Sequence, residues 1–475
     1  MDQEKQPMTR KTTTANEKNG CVKVTIPEDT GVKFTGLSKD ELMKIAGTAG
    51  WILTRRALLV LFWLGWVGIL AGAVVIIEQA PRCKPIPEMN WWNEGPLYQI
   101  SNVKDFSDRG LKGVEEKLDY LNQLKVKGLV LGPIHTVQAD QLSSLNLTSI
   151  KSEVGTENEL RSLLDQAHKK GISIVLNLTP NYEQPSAWFS NATTVAEKLR
   201  EACKYWIDKG FDGIFMSALG DIVETETWPS IQAIFNKTDG NTKRVLMGSV
   251  NGLSMNVDNV SCLLNRSGAD LLTIELSDPR KTQEVQNLYS NHLQTSMGWS
   301  LSRGTLGTPE SIRLFHALLF TLPGTPVFNA GDEMALKAGE KPKKMWDLES
   351  PAEKASATTK AVQKDRITAR DFFKAFSDLR RRERALLHGE FINLNSSASS
   401  LAFLRLWDQS ERFITAINWG NDTVPLTLTN SNLPAQAQVR ICIDTTNLAV
   451  DSMVSLKTFQ LGPLQAVLLS FPYAG

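Results

Sequence analysis

The feature that most constrains the fold is one uninterrupted apolar run over residues 57–77, ALLVLFWLGWVGILAGAVVII, which contains no charged or amide side chain. As a helix with a rise of about 1.5 Å per residue, it spans roughly 30 Å, the thickness of a bilayer's hydrocarbon core. The alternative is a buried helix of a soluble protein, but soluble helices of this length almost always carry a polar face. The run therefore predicts one membrane-spanning helix.

The charges that flank this run indicate its orientation. Arg55 and Arg56 precede it, whereas Glu78 follows it. Because positive charge is retained in the cytoplasm, we expect residues 1–56 to form a cytoplasmic tail and the rest to lie outside, in a type II topology with an uncleaved signal anchor. The Asn-x-Ser/Thr sequons agree, since all of them follow the run. They begin at Asn146, Asn177, Asn191, Asn236, Asn259, Asn265, Asn395 and Asn421.

One of these sequons is expected to stay unused. Asn177 is predicted to end a strand, and Pro180 lies just beyond its Thr179. We therefore take the other seven asparagines as the candidate N-glycosylation sites.

The tail divides into two parts. Residues 1–37 are polar and low in aromatic residues, which predicts disorder. Ser38 and Glu41 then form a capping-box pattern before Leu42. This pattern predicts either a short amphipathic helix at the inner leaflet or a helix that merely extends the anchor.

Two features suggest a membrane-embedded partner. The chain has five cysteines, an odd number that indicates an intermolecular bridge or a free thiol, and Cys83 is the candidate because it follows the anchor in a Pro-rich stretch. Cys203, Cys262 and Cys442 lie in helical or strand patterns and are expected to be buried. Within the anchor, small residues that permit close helix packing occur at Gly65, Gly68 and Gly72.

Beyond a stalk at residues 78–90, short β-rich runs alternate with helical patterns over residues 91–386, which is typical of a parallel β/α architecture. Eight such units would fill about 280 residues, a usual size for a (β/α)₈ barrel. Short alternating strands over residues 387–475 predict an antiparallel β-sandwich. The strands predicted within the barrel region are 98–100, 128–131, 172–178, 213–216, 244–250, 271–276 and 326–328.

The barrel region resembles the α-amylase family. The segment Gly-Phe-Asp-Gly-Ile-Phe-Met-Ser over residues 210–217 is similar to the family's fourth-strand motif, with Phe215 at the arginine and Ser217 at the nucleophile. Further matching segments are 91–92, 98–100, 110–113, 118–121, 155–156, 322–326 and 331–333. The resemblance implies a TIM barrel followed by a β-sandwich. The family's long insertion after the third strand, with its calcium site, is missing, because the next helical pattern begins near residue 195.

The resemblance also implies that the catalytic carboxylates are replaced. Asn177 stands at the end of strand three, Ser249 at the general acid and Ser300 at the third carboxylate, beside Ser217 at the nucleophile. Retaining glycosidases need two carboxyl groups about 5–5.5 Å apart, so this pattern predicts a scaffold without glycosidase chemistry. Neither a metal-ligand spacing nor a phosphate loop is found, so no cofactor and no metal are expected.

Two runs of charged residues are expected to have structural roles rather than catalytic or binding ones. Asp332 and Glu333 match a structural signature of the family after strand eight and are not expected to be catalytic. The basic run over residues 380–384 is expected to form a solvated helix face. A formal net charge of +1 gives no reason to expect a nucleic-acid partner.

An amylase-like barrel without catalytic acids, on a type II anchor with a juxtamembrane cysteine, resembles the heavy subunits of heteromeric amino-acid transporters. The resemblance implies a disulfide through Cys83 to a multi-spanning light chain, which the heavy subunit would stabilise and bring to the plasma membrane, basolateral in polarised cells. It also allows an integrin β subunit as a partner of an adhesion or signalling receptor. A membrane-anchored α-glucosidase is the remote alternative.

Overall fold

The computed structural model describes residues 36–79, 83–138, 141–182, 192–236, 243–250, 257–276, 294–301, 309–337, 339–349, 357–428, 430, 433–444 and 448–473. The chain divides into two compact units, residues 1–82 and residues 83–475. Residues 1–35, where most of the predicted disorder falls, and the stalk residues 80–82 lie outside the described part.

The first unit contains two helices, Lys39–Ala46 and Ala49–Gln79. Both halves of the predicted capping box are formed, since Ser38 Oγ accepts from the Glu41 N–H and Glu41 Oε2 accepts from the Ser38 N–H, at 3.4 and 3.1 Å. The short helix ends at Gly47, so it is a separate element and does not extend the anchor. The second helix has 31 residues and is long and apolar enough to cross a membrane.

The second unit begins with a closed barrel of eight parallel strands in sequential order. Each strand pairs with the next, and the eighth closes on the first through the pairs Leu97 with Val327 and Tyr98 with Phe328. This confirms the predicted fold class. The strands β1–β8 are Leu97–Ile100, Gly128–Leu131, Ser173–Asn177, Gly213–Met216, Val245–Val250, Leu271–Leu276, Met297–Leu301 and Thr325–Asn329. Strand β7 is absent from the predicted set, because its Gly and Ser residues weaken the apolar pattern.

The barrel helices bury one apolar face each. Helix Glu157–Lys169 illustrates the cause: Thr156 and Glu159 form a capping box, and the apolar residues three and four apart, including Leu160 and Leu164, are buried. Between β1 and β2, residues 111–123 form two helices that are divided at Lys117. The helices of this region are Val103–Phe106, Leu111–Glu116, Leu118–Gln123, Glu157–Lys169, Ala192–Asp208, Trp228–Phe235, Val257–Ser267, Pro309–Thr321, Ala357–Arg382 and Arg384–His388. Strands Thr136–Gln138 and Gln141–Asn146 form a hairpin after β2.

The barrel interior is packed with apolar side chains from alternate positions of the strands. Trp92 covers one end of this core. Because residues two apart in a strand face the same side of a sheet, these side chains also identify which later residues face inward. The interior residues on the strands are Leu97, Val130, Val175, Phe215, Val245, Met247, Leu271 and Val327.

The C-terminal part contains a six-stranded antiparallel sheet and a two-stranded sheet that share a second apolar core. The six strands are, in spatial order, Glu390–Ser396, Ser400–Leu406, Arg412–Asn418, Gln465–Phe471, Gln436–Cys442 and Met453–Ser455. The smaller sheet pairs Val424–Leu426 with Phe459–Leu461. The other face of the large sheet packs on the barrel, since Leu401, Phe403 and Leu468 belong to the main core.

Two buried arginines donate to backbone carbonyls around the end of helix Pro309–Thr321, Arg380 from helix Ala357–Arg382 and Arg405 from the C-terminal sheet. Arg380 donates to the carbonyl oxygens of Phe320, Leu322 and Gly324, at 2.5, 3.0 and 2.5 Å. Arg405 donates from Nη1 to the carbonyl of Thr321 at 2.5 Å. Phe320 and Thr321 are the last two residues of helix Pro309–Thr321, and Leu322 and Gly324 follow it, where backbone acceptors lack helical partners.

The expectation of a solvated basic face was therefore wrong for the first residue of the run. Arg380 is 2% exposed, whereas Arg381, Arg382 and Arg384 are exposed. The helix turns the first side chain inward because its position continues the buried stripe of Phe373 and Phe376.

Candidate functional site

The strand pairing brings the four candidate positions to the carboxyl end of the barrel. Asn177 ends β3, Ser217 follows β4, and Ser249 and Ser300 lie near the ends of β5 and β7. Each follows an inward-facing residue by two positions, so each faces the barrel interior. The inward-facing residues that precede them are Val175, Phe215, Met247 and Gly298. This end of a barrel is where enzymes of the fold place their catalytic side chains.

A short hydrogen-bond network connects Asn177 and Ser217. The Thr179 hydroxyl donates to Asn177 Oδ1 at 2.6 Å and accepts from the Ser217 N–H at 3.0 Å. It also lies 3.1 Å from Ser217 Oγ. Ser217 thus contacts a hydroxyl, which is a poor proton acceptor, and a serine needs an adjacent base to act as a nucleophile.

Phe215 fills the position that the family motif gives to arginine. Its side chain is 4% exposed and belongs to the interior core of the barrel. An apolar ring there contributes packing and offers no charge to orient a carboxylate.

Sequence reasoning missed one carboxylate at this end of the barrel. Glu275 is the penultimate residue of β6, is exposed, and pairs in register with Ser300. The signal was present in the sequence, because Glu275 follows Thr273 by two positions in a predicted strand. Glu275 by itself does not supply both the nucleophile and the acid of a retaining glycosidase.

Asp332 and Glu333, which follow β8, make hydrogen bonds that hold neighbouring elements together. Glu333 is fully buried, and its Oε1 accepts from the hydroxyls of Tyr98 at 2.8 Å and Tyr120 at 3.1 Å. Burial raises the pKa of Glu333 to about 7. The Asp332 carboxylate accepts from the Asn329 N–H at 2.7 Å. The pair connects the end of β8 to β1 and to helix Leu118–Gln123.

The histidines of the described residues lie apart from any cluster of metal-ligating side chains. Within the described residues there is no group of three His, Cys, Asp or Glu side chains that could hold a metal ion. His135 and His316 are fully buried, and burial lowers the pKa of these rings to about 4 and about 3. Both are therefore neutral core residues at physiological pH.

The cysteines differ in exposure, and none of the four described ones is in a disulfide. Cys83 is exposed, whereas Cys203 and Cys442 are buried. Cys262 is exposed, so the expectation that it is buried was wrong. Helix Val257–Ser267 turns its buried face through Val260 and Leu264, which leaves position 262 on the other side.

The cysteine count needs one revision. Cys21 precedes the apolar helix, so four cysteines follow it. An odd total therefore does not by itself leave one unpaired thiol beyond the helix, and Cys83 is distinguished by its exposure and its place in the chain.

The glycines of the long helix form an open stripe. Gly65, Gly68 and Gly72 are three and four residues apart, which places them on one helix face. A Cβ atom added at any of the three would meet nothing within 4 Å.

The candidate sequons are mostly accessible. Asn177 is 7% exposed, in agreement with its expected disuse, and Asn395 is partly buried in a strand. Asn191 lies outside the described residues. The exposed asparagines are Asn146, Asn236, Asn259, Asn265 and Asn421.

The fold and site define an amylase-like barrel protein that carries a helix of membrane-spanning length. The fold is similar to that of the α-amylase of Geobacillus thermoleovorans, with a TM-score of 0.55 and 20% sequence identity over 81% of this chain and 99% of that chain. It is also similar to that of the trehalulose synthase of Pseudomonas mesoacidophila, with a TM-score of 0.60 and 14% sequence identity over 81% of this chain and 100% of that chain. The α-amylase catalytic-domain model matches residues 98–194, and the model of the N-terminus of solute carrier family 3 member 2 matches residues 22–98.

Curated relatives give a narrower assignment. The chain is 38% identical to the amino acid transporter heavy chain SLC3A2 of Rattus norvegicus, over 100% of this chain and 97% of the relative. It is 23% identical to the amino acid transporter heavy chain SLC3A1 of Homo sapiens, over 87% of this chain and 83% of the relative. The chain belongs to the family of amino acid transporter heavy chains, and the resemblance seen in its sequence is confirmed.

Proposed function

We propose that this chain is the non-catalytic heavy subunit of a heteromeric amino-acid transporter. It binds a multi-spanning light chain through an intermolecular disulfide at Cys83, stabilises it and brings it to the plasma membrane, at the basolateral face of polarised cells. The observation that carries the proposal is Cys83, an exposed thiol four residues along the chain after the long helix ends at Gln79.

The helix supports this proposal in two ways. Its side chains offer no polar route for a solute between residues 57 and 77, so the substrate path belongs to the light chain. The stripe of Gly65, Gly68 and Gly72 gives that light chain a face for close packing in the lipid. Arg55 and Arg56 before the helix favour a cytoplasmic N-terminus, the type II orientation.

The barrel is proposed to act as a scaffold. Asn177, Ser217, Ser249 and Ser300 place amide and hydroxyl groups where the amylase resemblance puts carboxylates. The short separation of Asn177 from helix Ala192–Asp208 is consistent with loss of the family's inserted domain.

The test is an electrophoretic comparison of full-length wild type and Cys83→Ser in cell membranes, with and without reductant. We expect a larger wild-type band that collapses on reduction and is lost in the variant, because the thiol that forms the bridge is gone. Cys262→Ser, which removes another exposed thiol, is the matched control and should keep the band. A wild-type chain that runs only as a monomer would refute a covalent partner.

The second prediction concerns the barrel. Ser217→Asp alone should give no turnover of maltose, because its glucose leaving group departs only when protonated, and a general acid commonly contributes 10²–10⁴-fold, roughly, to the rate. Release of glucose by membranes that contain the full chain measures this. Turnover by the wild type would instead support the α-glucosidase alternative.

Exchanging the cytoplasmic tail distinguishes the transporter proposal from the receptor alternative, in which an integrin β subunit is the partner. Replacing residues 1–35 with an unrelated polar segment should leave amino-acid uptake unchanged under the transporter proposal. A loss of cell spreading at constant uptake would identify a second role for the tail.

A further inference from the structure

An apolar groove lies between a barrel helix and the C-terminal sheet. It is half open to solvent and has a volume of about 190 Å³. One wall comes from helix Pro309–Thr321 and the other from the C-terminal sheet and its turns. The lining residues are Ser311, Leu314, Phe315, Leu318, Ile417, Trp419 and Leu464.

Trp419 is the aromatic wall of this groove on the side of the sheet. It is half-buried, and its Nε1–H donates to the carbonyl of Ala398 at 2.8 Å, while its backbone N–H donates to the carbonyl of Ser399 at 2.9 Å. The bond from Nε1 orients the indole, and the backbone bond holds the chain at the start of the turn. A ring held in this way is a preformed surface for stacking.

The turn after Trp419 is held by the buried Asn418. Its Nδ2 donates to the carbonyl of Asp422 at 2.7 Å, and its Oδ1 accepts from the Gly420 N–H at 2.9 Å. Leu464, another residue of the groove, donates its N–H to the Gly420 carbonyl at 3.2 Å. The hydrogen bonds of Asn418 and Leu464 therefore hold this turn next to the groove.

Asn421 lies in this turn and is exposed. It begins the sequon Asn421-Asp422-Thr423 and follows Trp419 by two residues, a separation of at most about 7 Å between the Cα atoms. A sugar attached to Asn421 Nδ2 is therefore within reach of the indole. Pyranose rings carry C–H groups on their faces, which pack on aromatic rings as other apolar groups do.

We propose that Asn421 carries an N-linked glycan whose first N-acetylglucosamine packs on Trp419 at the mouth of this groove. Attachment joins Asn421 Nδ2 to C1 of the sugar, breaks the C1–O bond to a diphosphate-lipid carrier, and releases one proton from the amide. The proposal rests on the outward orientation of this part of the chain given under the proposed function.

The consequence is that this one glycan contributes to folding stability. The sugar removes apolar surface of Trp419 from water, and burial of such surface is favourable. Among the exposed sequons of the described residues, only Asn421 has an aromatic residue two positions before it. Asn236, for example, is preceded two positions earlier by Ile234 and caps the end of helix Trp228–Phe235.

The experiment uses the full chain expressed in mammalian cells and purified in detergent. Glycopeptide mass spectrometry should find Asn421 occupied. Asn421→Gln should lower the melting temperature by roughly 2 °C, the effect of about 1 kcal/mol in a domain of this size. Trimming every glycan to its first sugar should leave the melting temperature unchanged, since that sugar makes the contact.

Two further variants decide between packing and a general effect of glycosylation. Asn236→Gln is the matched control and should leave the melting temperature unchanged. In a Trp419→Leu background, Asn421→Gln should add no further loss. An unoccupied Asn421, or a loss that is equally large in that background, would overturn the proposal.

These outcomes are separable from failure of the proposed function. A chain without any occupied sequon would contradict the outward orientation itself. A missing disulfide in the Cys83 experiment would leave the glycan result unaffected, because the glycan experiment needs no light chain.

Discussion

Arg380→Met is expected to lower the free energy of unfolding of the part after residue 83 by about 3–5 kcal/mol, since each buried carbonyl that loses its donor costs roughly 1–3 kcal/mol. Arg380 donates to three such carbonyl oxygens, on Phe320, Leu322 and Gly324. Burial, together with the nearby charge of Arg405, lowers the pKa of Arg380 to about 9, so removing the charge recovers part of the cost of its desolvation.

The measurement is urea unfolding of the purified full-length chain, followed by tryptophan fluorescence. Arg381→Met changes the adjacent, exposed arginine and should shift the free energy of unfolding by less than about 0.5 kcal/mol. A loss below about 1 kcal/mol for Arg380→Met would show that water or a rearranged backbone satisfies the three carbonyls.

His316→Gln should change the pH dependence of stability. Burial lowers the pKa of His316 to about 3, whereas the unfolded value is about 6.5. Between these values the unfolded chain binds more protons, so the wild type loses about 1.4 kcal/mol per pH unit as the pH falls below 6.5. Glutamine keeps an N–H donor for the Asp332 carbonyl, which His316 Nε2 contacts at 2.9 Å, and it does not titrate.

The variant should be less stable than the wild type by about 1–2 kcal/mol at pH 7.5, because it loses the ring packing against Phe328 and Phe373. At pH 4.5 this difference should vanish or reverse, since the wild type has lost about 2.7 kcal/mol. Glu333, whose pKa is raised by burial, opposes the trend, but it does so in both proteins and cancels in the difference.

His168→Gln provides a control of opposite sign. The hydrogen bond to Asp212 raises the pKa of His168, so its stabilisation is complete at acid pH and is lost as the pH rises. This variant should therefore be most damaging at acid pH. Parallel pH profiles for His316→Gln and His168→Gln would contradict the assignment of His316 as a neutral core residue.

Much of the architecture could be predicted because it follows from local chemistry. The apolar run from residue 57 to 77 has no polar face, so it does not fit a helix on the surface of a soluble protein. The capping box at Ser38 fixes the residue at which the short helix begins. Strands β2 and β6 were predicted to the residue, because their apolar runs have clear polar flanks. Strand β7 and the division at Lys117 could not be predicted, since packing there overrides weak local patterns.

The candidate site was predicted because amylase-like motifs follow one another along the chain in the same order as in that family. The resemblance to the amylase motifs predicted that Asn177, Ser217, Ser249 and Ser300 stand at the catalytic positions, and period-2 alternation places them at one end of the barrel. Glu275 was missed because no motif contains it.

The tertiary structure decided which side chains have partners, since partners come from residues far apart in the chain. Arg380 and Arg405 are buried because helix Pro309–Thr321 ends between them, and no local pattern in either segment shows those carbonyls. Asn421 is one sequon among eight in the sequence. It gains an aromatic neighbour within a groove only because a barrel helix more than a hundred residues earlier packs beside Trp419. Local sequence thus determined the long apolar helix, the barrel and the four candidate positions, while tertiary packing determined which charged and aromatic side chains are buried.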